Sequence, residues 1–145
     1  MGVNKVKPAL QFKVRCHPAK PYVFRVTVLK TREQLDAYRK DHSCVKTPCC
    51  AYCNGYKLVN YKNGVGKVSN EIGELVFHVS SLRMGVICHE AVHAGVQFIK
   101  TCRFKIDFDV PVNRTKCNKN EELFAWVIGN IAKQVVIKTR RAMPL

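Results

Sequence analysis

The chain has 145 residues, 47% of them hydrophobic, and carries 25 Lys and Arg against 10 Asp and Glu, a formal charge of +15. That length suits one domain over residues 1–145 with a core of its own, and the apolar content excludes a disordered polymer. No apolar run approaches the ~20 residues of a membrane-crossing helix. The first residues hold no apolar leader, so a cytoplasmic protein is expected.

Residues 8–16 and 21–30 read as strands separated by Pro18 and Pro21. The segment Tyr22-Val23-Phe24-Arg25-Val26-Thr27-Val28-Leu29 is rich in β-branched and aromatic side chains. Residues 31–40 read as a helix, with Thr31 as N-cap and Gln34 three residues on. A cysteine-rich loop follows over residues 42–55. A short strand is expected from Tyr56 to Tyr61, a turn at Asn63-Gly64, and a strand over Glu74–Val79. A helix then starts at Ser80 or Ser81 and runs to Phe98 or Lys100, and a last helix covers about residues 120–139, capped by Asn118 or Asn120. Strands first and two helices last predict an α+β fold, a small antiparallel or mixed sheet packed on those helices.

The first of these two helices carries His89-Glu90-Ala91-Val92-His93, an H-E-x-x-H sequence. Residues i and i+4 share a helix face, so both imidazoles can reach one metal ion, with Glu90 beside them as general base. His89, Val92 and Val96 continue an apolar stripe from Val86, which places the histidines at or near a buried face. A catalytic zinc takes a third protein ligand. The last helix offers Glu122, with Glu121 its competitor one residue away. Ala125 and Trp126 put the Glu122 side toward the core in this reading.

His89-Glu90-Ala91-Val92-His93 followed by Glu122-Leu123-Phe124-Ala125 resembles the gluzincin group of zinc metallopeptidases, in a minimal form like the short ones of phages and bacteria. The resemblance covers roughly residues 72–135. It implies a zincin-like fold, Zn²⁺ as cofactor and a peptide or protein as substrate. It assigns His89, His93 and Glu122 as ligands and Glu90 as base, with Ala125 the small residue that lets the two helices approach. It also implies an edge strand lining the substrate cleft, for which Leu75–Val79 is the expected segment. Tyr52, Tyr56, Tyr61 and Arg83 are the candidates for stabilising a transition state.

Eight cysteines are present, and in a cytoplasmic chain they are expected as thiols or metal ligands. Cys44, Cys49, Cys50 and Cys53 fall within ten residues and could supply a structural zinc site, although free thiols are the simpler expectation. Cys88 is expected as a small core residue. His17, His42 and His78 read as ordinary residues. The bases are dense near both ends, at Lys5, Lys7, Lys13 and Arg15 and at Lys133, Lys138, Arg140 and Arg141. Such a surface favours nucleic acid or an acidic partner.

Overall fold

The structure is a computed structural model that describes residues 6–43, 47–56, 59–62, 65–106 and 119–144; for residues 59–62 and 65–68 it describes the backbone alone. The fold is α+β. Strand β1 (Leu10–Arg15) and strand β2 (Val23–Leu29) are the two expected strands, and they pair antiparallel as a hairpin. Helix α1 (Arg32–His42) follows, and the Thr31 hydroxyl accepts from the Gln34 amide as an N-cap. Strands β3 (Ala51–Gly55), β4 (Val59–Lys62) and β5 (Val65–Val68) precede strand β6 (Glu71–His78). Helix α2 (Met84–Cys102) and helix α3 (Lys119–Ala142) complete the chain. The expected turn at Asn63-Gly64 lies outside the described residues.

The main sheet is mixed, in the order β1-β2-β6-β3, and β4 pairs with β5 separately. β6 runs parallel to β2 and antiparallel to β3. This corrects two expectations. Residues 51–55 of the supposed loop are a strand, because Ala51 and Tyr52 alternate between two apolar layers and are drawn into the ladder with β6. The segment Leu75–Val79 is not an edge strand: β6 is central and buried along most of its length, and the described edge nearest α2 is β3.

Each sheet face covers a core. Phe24, Val26 and Val28 of β2 and Leu75 and Phe77 of β6 pack against Ile87, Ala91, Ala94 and Phe98 of α2 and Val127, Ile131 and Val135 of α3. Leu29, Tyr52 and Val76 face the other way, against Leu35 and Tyr38 of α1. The layers are therefore α1, sheet, then α2 with α3. α2 and α3 run antiparallel: the middle of α2 meets the first half of α3 at Gly95, while Ile87 near its start lines a cleft with Val136 and Thr139. A Cβ on Gly95 would stand 2.8 Å from Ile128 Cγ1 and 3.0 Å from Phe124 Cε2, so this glycine sets the approach of the helices. Ala125, expected in that role, is exposed.

The expected apolar stripe on α2 is rotated. The buried residues are Ile87, Glu90, Ala91, Ala94, Gly95, Phe98 and Ile99, whereas His89 and His93 are exposed, as are Cys88 and Val92. Small residues at 91, 94 and 95 allow close contact with both sheet and α3, and that packing outweighs the larger but isolated Val92. α3 likewise buries Val127, Ile131, Ala132 and Val135 rather than the side of Ala125 and Trp126; Trp126 is 46% exposed. α2 begins at Met84 rather than at Ser80 or Ser81, since Val79–Ser81 form a separate turn of 3-10 helix.

Candidate functional site

His89 and His93 stand one turn apart on the solvent face of α2, their Nε2 atoms 3.2 Å from each other and their ring planes at 73°. Two imidazole nitrogens on a tetrahedral zinc at about 2.0–2.1 Å each would be separated by about 3.3 Å. The pair therefore has a spacing that would suit two ligands of one tetrahedral ion. The same spacing suits a hydrogen bond between one protonated and one unprotonated ring nitrogen.

Glu90 takes the opposite environment. It is 5% exposed, and its Oε2 has no hydrogen-bond partner. Burial raises its pKa, opposed in part by the adjacent His89. A carboxyl held above its ordinary range accepts and returns a proton near neutral pH more readily than a solvated one. Cys53 of β3 packs into the core on this side, its thiol pushed up to about 12 by burial with the Glu90 charge adding to the effect. The strand and α2 are tied by a hydrogen bond from Gln97 Nε2 to the Tyr56 carbonyl. The site thus consists of an exposed imidazole pair, a buried acid one residue along, and a sheet edge alongside.

The acids of α3 are elsewhere. Glu122 is exposed and Glu121 half-buried, both in the first turn of α3. Gly95 marks the side of α2 that meets α3, and helical geometry sets His93 about 160° and His89 about 120° around the axis from it. Among the described residues no three His, Cys, Asp or Glu side chains come together in a group able to hold a metal ion. The structure joins His89 with His93 and sets Glu90 beside them; it does not bring Glu122 or Glu121 to the pair.

The cysteine cluster is also dispersed. Cys53 packs with the α2-side core, Cys49 packs against the α1-side core, and Cys50 is exposed; Cys44 lies outside the described residues. Cys88 is exposed rather than in the core, because it falls on the solvent side of the rotated stripe. His17 stacks edge-on against Trp126, His42 lies on Tyr38, and His78 ends β6.

Two of the four candidate transition-state stabilisers belong to a different cluster. Tyr56 donates to Glu74 Oε2 at 3.0 Å, and Tyr38 and Thr27 donate to Glu74 Oε1 at 2.9 and 2.5 Å. Tyr52 is buried in the α1-side core. Alternation along β3 turns Tyr52 and Tyr56 away from α2, so neither faces the imidazoles. Burial and the Glu74 carboxylate push all three tyrosine hydroxyls up, Tyr38 to about 12. Arg83 is exposed at the N-cap of α2, and the side chain of Tyr61 is not described. The Glu74 cluster had one sequence signal, an acid directly before the apolar run Leu75-Val76-Phe77.

Comparison with protein-family models, with curated proteins and with solved structures finds no match.

Proposed function

We propose that this protein is a zinc-dependent metallopeptidase on a minimal zincin-like scaffold. His89 and His93 hold the ion through Nε2, and the 3.2 Å separation of those atoms is the observation that carries the reading. Glu122 is the third ligand, with Glu121 its competitor. Because α3 meets another side of α2, zinc loading then requires the first turn of α3 to move toward the histidines.

Zinc held there would polarise a peptide carbonyl and acidify a water. Glu90 takes the proton of the attacking water and returns it to the leaving amine, a role its burial supports. A peptide substrate pairs with the outer edge of β3, which has no partner strand among the described residues, and its backbone then runs along α2. Free thiols at Cys16, Cys49, Cys50, Cys53, Cys88 and Cys102 suit a reducing cytoplasm.

Zinc analysis of the purified chain tests the site. One equivalent in wild type, lost in His93→Ala and retained in Glu90→Gln together with loss of peptide hydrolysis, is the expected pattern. Equal zinc in wild type and His93→Ala would leave the pair as a simple hydrogen bond and end the assignment.

The charge of +15 favours a second reading, a nucleic-acid-binding or host-interaction protein on the same scaffold without peptidase activity. DNA binding that weakens steeply with salt, in protein that shows no zinc-dependent hydrolysis, would select it.

A further inference from the structure

A second, unrelated feature lies at the other side of α2. Leu82, Met84 and Ile87 from its start face Val136, Thr139 and Arg140 from the late turns of α3, and together they line a cleft of about 120 Å³. Four of these side chains are apolar, and Met84 is 56% exposed at the rim. The polar features are of one kind. Thr139 is 3% exposed, yet its Oγ1 has no hydrogen-bond partner. A helical threonine ordinarily satisfies its hydroxyl on the carbonyl one turn back, so this one is available to a ligand in the cleft. Arg140 brings a guanidinium. The first turn of α2 adds backbone N–H groups that have no acceptor within the helix, and the N-cap Arg83 offers no side-chain cap to them. Gly85, in that turn, has open space where a Cβ would stand.

Three donor types of positive or partial positive character, next to an apolar wall, fit one ligand chemistry. We infer that the cleft between the start of α2 and the end of α3 binds a small amphipathic carboxylate, its hydrocarbon against Leu82, Ile87 and Val136 and its carboxylate on Thr139 Oγ1, Arg140 and the α2 N-terminus. The volume sets the size. A cavity of about 150 Å³ admits benzene, so a ligand of about six non-hydrogen atoms fills this one. The source is a free short-chain acid or the C-terminal residue of a small apolar peptide, which present the same group. The site is independent of the imidazole pair, which points away from α3.

The test is a titration of the ¹⁵N-labelled protein with butyrate, followed at the amides of Gly85, Ile87 and Thr139. Saturable shifts at these three are expected, and butanol and inorganic phosphate should bind about tenfold more weakly, because each supplies only half of the recognition. Arg140→Gln, a change at an exposed position, should weaken butyrate by about tenfold. Thr139→Val keeps the side-chain shape, should leave the fold intact and should weaken butyrate by a similar factor. A short peptide ending in valine with a free carboxyl, compared with its C-terminal amide, separates the two sources: tighter binding of the acid than of butyrate points to a peptide terminus, and weaker binding to a free acid. Absence of saturable shifts, equal binding of butanol or phosphate, or unchanged affinity in both variants overturns the site.

Discussion

Replacing Glu90 with Gln should do two opposite things, and the opposition is diagnostic. The carboxyl is 5% exposed with Oε2 unpartnered, so its ionised form is disfavoured in the folded chain and its pKa is raised. A carboxyl with a raised folded pKa contributes most to stability below its unfolded value of about 4.3. That contribution is lost as pH rises through the folded value and stays lost above it. Glutamine has the same shape and no such dependence. A buried group lacking a partner costs about 1–3 kcal/mol. The neighbouring His89 offsets part of the cost, so about 1–2 kcal/mol is the reasonable size here. For a chain of this length that is about 3–6 °C in Tm. Thermal unfolding followed by circular dichroism, in chelator so that bound metal adds nothing, should show Glu90→Gln and wild type nearly equal at about pH 3, where Glu90 is protonated in both states. The variant should pull ahead as pH rises to neutrality. Peptide hydrolysis by the zinc-loaded variant should meanwhile be abolished. Stability curves that stay parallel across this range would mean that Glu90 is solvated, and the argument from its burial would be refuted.

Gly95→Ala should destabilise the fold by about 1 kcal/mol, because overpacking against Ile128 and Phe124 outweighs the helix propensity gained; chemical denaturation measures it. Glu74→Ala should cost about 3 kcal/mol or more, since Thr27, Tyr38 and Tyr56 lose their shared acceptor, whereas Tyr56→Phe should cost only about 1 kcal/mol. Thiol labelling at pH 8 with peptide mapping should modify the exposed Cys50 and Cys88 about a hundredfold or more faster than Cys16 and Cys53, whose thiols burial pushes up to about 12. Equal rates would show that the two-sided core is not closed around β3 and β1.

Much of the scaffold was legible in the chain. Strands β1 and β2 announced themselves through apolar and β-branched residues on either side of Pro18 and Pro21, α1 through Thr31 and its amide partner, and the two long helices through their periodicity. The i, i+4 spacing alone fixed that His89 and His93 share a face, because helix geometry is local. Which face that would be was not local information. Two stripes were compatible with the periodicity of α2, one through Val86, His89, Val92 and Val96 and one through Ile87, Ala91, Ala94 and Phe98. The second is buried because its small residues admit both the sheet and α3, a choice made by the packing partners. The same applies to α3, where Val127, Ile131 and Val135 turn inward and Trp126 stays out. The order β1-β2-β6-β3, which puts β3 at an edge and β6 inside the sheet, arises from pairings between residues far apart in the chain. So do the gathering of three hydroxyls on Glu74 and the cleft that leaves Thr139 Oγ1 without a partner. The sequence by itself determined the local elements and the imidazole pair; only the tertiary structure decided which groups are dry, which are wet and which strand lies at an edge, because burial is a property of what lies opposite a residue and not of its neighbours in the chain.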